Sequence, residues 1–329
     1  RKIRSIRSNP LNALPYDQIP KSVGGLTPIG TYFDGTIRPG TVFGTGPSGY
    51  RANTTDDYGA LNAFVLVDSN DQPRFPPRDG TEGTPESLTA NEVRTIIRNA
   101  LTIAFRARAQ IRRPLGSHAQ VTVSVVDTNG SILGIARTPD GPVFGTDVSL
   151  QKARTAAFFS NTNTAADLIR ANLGNYWLAA KAVLGPGALS DGTAFADRSG
   201  GNLSRPFFPD GIDGAPHGPF SKPFSEWSPF NVGLQLDLIA ANIVAHRSFL
   251  LGQSPTDTPM NCTPIPVRPQ TSKSPVANGI QIFPGSVPIY RNNTLIGGIG
   301  VSGDGIDQDD MISFLGLHNA GLELGTGVG

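Results

Sequence analysis

SVPIYRNNTLIGGIGVSGDGIDQDDMISFLGLHNA, residues 286–320, runs strand, turn, strand, glycine-rich loop and acid-headed helix with scarcely a residue between them. Val287 and Ile289 alternate with Pro288 and Tyr290, and Asn292 and Asn293 supply a turn. Leu295, Gly297, Ile299 and Val301 then share one face at the strand period of two. The pattern predicts a β-hairpin. Beyond it, Met311, Phe314, Leu315 and His318 stand at i, i+3, i+4 and i+7, the apolar stripe of a helix. Asp307, Asp309 and Asp310 load its first turn, where the macrodipole favours negative charge.

Gly298, Gly300 and Gly303 spell GxGxxG between that strand and helix, the setting of a dinucleotide fingerprint. A pyrophosphate would have to approach a helix start crowded by Asp304, Asp307, Asp309 and Asp310. Nucleotide binding is therefore rejected, and the glycines are expected to let the strand pack closely against a neighbour and turn sharply.

Working back along the chain, Thr89 and Glu92 form a capping-box pair. Val93, Ile96, Ile97, Ala100, Leu101 and Ala104 follow at helical spacing. The opposite face carries Arg94, Arg98, Thr102 and Arg106, which a solvated face explains as well as an anion site does. In VTVSVVDTNGSILGIAR, residues 121–137, Val121, Val123 and Val125 alternate with Thr122, Ser124 and Val126 before an Asn-Gly turn, a second hairpin. DVSLQKARTAAFFS then predicts a helix capped by Asp147 or Ser149 that packs Leu150, Ala153, Ala156 and Ala157. Helix, hairpin, helix and later hairpin, helix make an α+β fold, an antiparallel sheet with helices laid on it.

Two stretches fall outside this frame. Residues 1–86 carry Pro, Gly, Asn and Asp at almost every step, and only 60–68, ALNAFVLVD, predicts a strand. The rest is expected to be an extended arm, ordered by burying Tyr32, Phe33, Val42 and Phe43 elsewhere. Residues 175–278 are turn-rich and aromatic and are expected to be an insertion. Within it a helix opened by Ser228 and Pro229 should carry Leu236, Ile239, Ala240 and Ile243 on one side. Trp227, Phe207, Phe208, Phe220 and Phe224 would make a partner surface there if the core does not take them. The domain itself is then 87–174 and 279–329.

Composition narrows the function classes. With 329 residues, 39 Gly, 28 Pro and a net charge of +1, a full core with long irregular segments is expected, and no strongly electrostatic partner such as nucleic acid. The RKIRSIR start is a short basic arm. No apolar run approaches the length of a membrane-spanning helix. Six lysines against twenty-one arginines in a loop-rich chain lean towards a periplasmic or extracellular protein. Cys262 is the only cysteine, which excludes an intrachain disulfide and a CxxCH haem attachment.

Val125, Val126, Asp127, Gly130, Gly134 and Arg137, the run Lys152, Ala153, Arg154, Thr155, Ala156, and then Pro284, Gly285, Pro288, Ile289, the 298–303 segment and Asp309 together resemble the GlcG/HbpS family. That family holds haem-degrading or haem-binding domains and includes the C-terminal domain of PduO-type proteins. The resemblance covers about 88–172 and 279–322. It implies an antiparallel sheet with helices, assembly into dimers or octamers, and a capacity for haem or iron in some members. The arm and the insertion are departures that could cover the surfaces through which the family assembles.

The resemblance carries over no single haem-ligand motif, so ligands are sought among the residues themselves. His318, on the expected apolar stripe, is either an iron ligand at the sheet edge or a hydrogen-bonded core histidine. His118, in RRPLGSHAQ beside Arg112 and Arg113, is either a loop residue or part of a haem site whose arginines pair with propionates. His217 and His246 fall in the insertion. Lys152, Arg154 and Asp147 share one helix and either orient an anion or form a structural ion link. A cleft near His318 and the Lys152–Arg154 helix is expected.

For an enzyme the acid and base are missing: Cys262 has no histidine near it in sequence, and neither GxSxG nor HExxH occurs. The expectation is a haem (tetrapyrrole)-binding protein that binds rather than turns over. The alternative is a secreted structural or accessory subunit with a vestigial cleft, whose arm and insertion hold copies of itself or partner subunits. DGIDQDD and PDGIDG offer calcium oxygen ligands in that second case, although helix capping and turns account for them too.

Overall fold

The computed structural model describes residues 40–227, 233–258 and 262–329. In chain order the elements are β1 (Tyr50–Ala52), α1 (Thr55–Tyr58), β2 (Phe64–Leu66), α2 (Ala90–Arg106), β3 (Thr122–Val126), β4 (Ile132–Arg137) and α3 (Gly145–Phe159). Then follow α4 (Thr164–Arg170), α5 (Gly174–Leu184), α6 (Asp197–Leu203), α7 (Leu234–Leu250), β5 (Ser286–Arg291), β6 (Thr294–Ser302) and α8 (Ile306–Leu324). All of them belong to the unit Val42–Gly329. The strands form one antiparallel sheet in the order β1-β2-β4-β3-β6-β5. The α+β class and both expected hairpins are present.

β3 is buried at every residue because both faces of the sheet are covered. On one face Val123 and Val125 join Ile299 and Val301 of β6, the apolar stripe of α2, and Ile312, Leu317 and Ala320 of α8. Each large side chain buried there contributes about 2 kcal/mol. On the other face Val126 meets Leu150, Ala153 and Ala157 of α3. Here the glycines of β6 act as expected. A Cβ at Gly298 would strike the Ala153 carbonyl, and one at Gly300 would strike the Ser149 carbonyl and the Ala153 amide nitrogen. α3 thus lies with its backbone on the strand, and Ser149 Oγ and Ser124 Oγ hydrogen-bond at 2.7 Å across the contact.

Several expectations change. A bulge places Gly297 opposite Ile289 and Leu295 opposite Tyr290, skipping Ile296. Ile296 therefore joins Ile299 and Val301 in the core, while Leu295 is only half-buried. A strict period of two misses this because the extra residue inverts the alternation. In α8 the buried face is Ile312, Gly316, Leu317 and Ala320, and the stripe of Met311, Phe314 and His318 looks outward. Gly316 decides the rotation: a Cβ there would stand 2.6 Å from Ala100 Cα, so the smallest residues of α8 and α2 meet. α3 starts at Gly145, with Phe144 at the N-cap and no side-chain cap. Asp147 lies in its first turn, and Ser149 is spent on Ser124. The capping box on α2 stands as read, and Arg98 on its outer face pairs with Glu323.

Part of the expected arm is sheet. β1 pairs with β2, and Phe64 of β2 pairs with Arg137 of β4. β2 is shorter than 60–68 because Asp68 Oδ1 accepts the amides of Asn70 and Gln72 and turns the chain. Val42 and Phe43 stay largely exposed, and Phe43 leans on Tyr50 and Phe64. Tyr32 and Phe33 lie outside the described residues.

The insertion shares its core with the domain. Phe158 and Phe159 at the end of α3 pack with Leu168, Tyr176, Phe195, Leu203, Phe220, Leu234, Leu238, Ile265 and Ile280. Phe220, expected on a partner surface, is buried and stacked on Phe159. Phe207, Phe224 and Trp227 stack on one another. Ser228 and Pro229 lie outside the described residues. α7 buries Leu234 and Leu238 and leaves Leu236 and Ile243 exposed, since a helix apolar all round names no face by its periodicity.

Gly300→Ala should lower stability by about 3 kcal/mol, the upper end for overpacking, because the obstacle is helix backbone and not a movable side chain. The midpoint of urea unfolding reads this directly.

Candidate functional site

Lys152 and Arg154 are two residues apart on α3 and therefore project to opposite sides of it. Lys152 is buried; its ammonium donates to Asp309 Oδ2 at 2.9 Å and to the Val301 carbonyl at 2.9 Å. Asp309 sits in the first turn of α8, so the pair ties α3 to α8 past the end of β6. Asp197, at the start of α6, is buried beside them with no close hydrogen bond to either carboxylate oxygen. Burial pushes its carboxyl well above the ordinary range, and the Lys152 ammonium and Ser286 hydroxyl oppose this only in part. Burial also raises Asp309, to about 6, against the pull of Lys152. The ammonium's hydrogen bond goes to Asp309, and Asp197 receives only its charge. Next to it Arg198 donates to Asp310 Oδ2 at 2.5 Å and Asp307 Oδ1 at 2.8 Å.

Arg154 faces the other way. Its Nε donates to the Gly130 carbonyl at 2.9 Å and its Nη1 to Asn278 Oδ1 at 2.7 Å, while Asn278 Nδ2 donates to Asp147 Oδ1 at 2.9 Å. Burial lowers the Arg154 guanidinium to about 10, with Asp147 and Asp127 opposing. Lys152, Arg154 and Asp147 therefore form two separate clamps and not one anion site. The acidic run 304–310 is likewise engaged, by Gln110, Arg198 and Lys152, and among the described residues no group of three His, Cys, Asp or Glu could hold a metal ion.

His318 is exposed on the outer face of α8, on the opposite side of the sheet from α3, so the cleft expected between them does not form. His246 pairs with Asp257, and His217 lies close to the Gly218 carbonyl. His118 is placed differently. It lines a cleft of ≈ 460 Å³ with Ile111, Arg112, Arg113, Ser117, Gln120 and Asp140, a volume within the range of small-molecule sites. Its ring packs edge-on against Phe105 at 5.0 Å, and its Nδ1 lies 3.0 Å from the Ala119 carbonyl. A proton on Nδ1 bonds that carbonyl and leaves a lone pair on Nε2, the arrangement of a metal-ligating imidazole. Gln120 Nε2 stands 3.3 Å from the ring nitrogens and can donate to Nε2 when no ligand is there.

The cleft draws on two loops. Residues 107–119 leave α2 and return antiparallel, with Arg108 bridging His118, and Asp140 lies in the turn after β4. Arg112 Nη1 donates to Asp140 Oδ2 at 2.6 Å and Nη2 to the Asp140 carbonyl at 2.9 Å, which joins the loops. Exposed Ile111, Leu115, Val143 and Phe144 belong to the same two segments. The sequence alone marked His118, Arg112 and Arg113 but not Gln120, Asp140 or Asp304.

Residues 241–317 match the sequence model of a family described as haem degrading protein HbpS-like. The matched stretch runs from within α7 to within α8. Among curated proteins none matches the chain. Two solved structures are similar: a PduOC:heme complex, 16% identical, covering 70% of this chain and 93% of its own, with TM-score 0.32; and the Klebsiella pneumoniae protein ORFY of the DUF336 family, 15% identical, covering 73% and 94%, with TM-score 0.34.

Asp197 sets a pH signature. Its native pKa lies above the unfolded value, so its contribution to stability is complete below about pH 4 and is lost as pH rises through the raised native value. Asp309 acts in the same direction only up to about 6. Asp197→Asn should flatten the fall of the urea midpoint as pH rises above about 4, and an unchanged slope would show that Asp197 does not carry that fall.

Proposed function

We propose that this chain binds haem in the cleft between residues 111–120 and Asp140, with His118 as the residue that would hold its iron. The observation that carries the reading is the His118 ring, oriented by the Ala119 carbonyl and lining a cleft that also holds two arginines. Haem needs an iron ligand, apolar contact and cations for its propionates, and His118, Ile111 as the apolar side chain of the lining, and Arg112 with Arg113 offer these in turn. The matching family's description and the haem named in the PduOC structure accord with this ligand. Bound haem would supply iron chemistry; this chain's own part is to ligate, orient and neutralise.

A second role, as a subunit of a larger assembly, is supported by α7, whose Ile243, Val244 and Leu250 are all more than half exposed together with Leu251 beyond it. Such a patch suits another protein surface, of the same chain or a partner. Export to the periplasm or beyond is proposed on composition, from the excess of arginine over lysine in a loop-rich chain.

Haemin titration of the purified chain, followed at the Soret band, should saturate near one haem per chain. His118→Ala should weaken binding at least tenfold and alter the band, while His318→Ala should bind as the parent does. Failure to saturate, or indifference to His118→Ala, would overturn the assignment.

A further inference from the structure

We propose that Arg112 is the carboxylate-recognising residue of this cleft and that Asp140 is a displaceable stand-in for the ligand's carboxylate, so that the cleft selects planar ligands bearing free carboxylates. The inference rests on the reading of the cleft as a haem site and adds what is recognised there apart from iron.

Arg112 is held by two carboxylates of opposite character. Asp304 has no exposed side-chain surface, and its Oδ1 accepts the amides of Gln110 at 2.7 Å and Gly305 at 2.8 Å. Its Oδ2 stands 3.8 Å from Arg112 Nε, an ion pair behind the guanidinium without a hydrogen bond. The Asp140 side chain is 82% exposed, and its carboxylate bonds Arg112 alone among the described residues. Its backbone is anchored independently, the amide donating to Gln120 Oε1 at 2.9 Å and the carbonyl accepting from Arg112 Nη2. The carboxylate can swing into water while the turn stays in place.

The exchange is therefore close to neutral. Arg112 trades one carboxylate for another, keeping its charge-assisted hydrogen bond, and Asp140 gives up an exposed ion pair of the kind that stabilises little. Buried Asp304 stays beside the guanidinium, and the Asp140 carbonyl can go on accepting from Nη2. Arg113, the next residue, makes no ion pair among the described residues and lines the same cleft. Two adjacent guanidiniums, one pre-oriented and one free, suit a ligand with two carboxylates on one edge, and their planar forks match carboxylate geometry better than ammonium groups would.

Metal-free protoporphyrin IX and its dimethyl ester separate this from iron ligation. Titrated against the full chain by fluorescence quenching, the diacid should bind at least tenfold more tightly than the ester. Asp140→Asn removes the competitor and keeps the turn, and should tighten the diacid up to about fivefold, the range of an exposed pair, while leaving the ester unchanged. Arg112→Lys keeps the charge facing Asp304 but loses the fork, and should cancel the gain when combined with Asp140→Asn. Equal affinity for diacid and ester, or no gain from Asp140→Asn, would overturn the inference even if haemin binds through His118. If haemin itself fails to bind the parent protein, the haem reading falls first, and diacid selectivity would then stand as recognition of a carboxylate ligand without iron.

Discussion

The contact of α3 with β6 is the constraint from which the rest of the structure follows. Gly298 and Gly300 bring the helix backbone down onto the strand, where any side chain would collide with the Ala153 or Ser149 carbonyl. That close approach puts Leu150, Ala153 and Ala157 on Val126, and it sends Lys152 past the end of the sheet to Asp309. It also leaves Phe158 and Phe159, at the far end of the same helix, free to nucleate a second core with the inserted segment. One helix thus serves three neighbours: the sheet beneath, α8 beyond its edge and the elaboration above.

Charge inside this arrangement is arranged for docking and not for chemistry. Lys152, Asp309 and Asp197 come from three elements separated widely in sequence, and they are buried where an unmatched charge is costly. Glu92 shows the opposite balance. Burial raises its carboxyl, but the bidentate contact with Arg291, at 2.9 and 2.8 Å, together with Thr89 and Thr326, holds it down at about 2. The start of α2 is clamped to β5 and to the chain's last residues in this way, while the start of α6 carries an acid whose carboxyl burial pushes up. The two clamps respond to pH in opposite directions.

The cleft at His118 lies away from both clamps, where α2 has ended and β3 has not begun. Its residues come from loops, and loops can carry specific side chains without disturbing the packing that α2, α3 and α8 require. The only buried member of its charge set is Asp304, which belongs to the acid-rich turn before α8. That turn therefore serves fold and site together: Asp309 faces Lys152, and Asp304 faces Arg112.

Periodicity and turn chemistry alone determined the antiparallel α+β frame, both hairpins, the capping box on α2 and the reason for the glycines in β6, because each rests on contacts between near neighbours in the chain. His118 with Arg112 and Arg113 was legible for the same reason, being one short loop. The tertiary structure decided which face of α8 turned inward, since Met311, Phe314 and His318 make as good a stripe as Ile312 and Leu317 until Ala100 meets Gly316. It split Lys152 from Arg154, because their partners lie 157 and 124 residues away. It also drew residues 50–66 into the sheet and the insertion onto α3. Pairings over such distances leave no periodic trace, as the partner's position is fixed by packing and not by spacing.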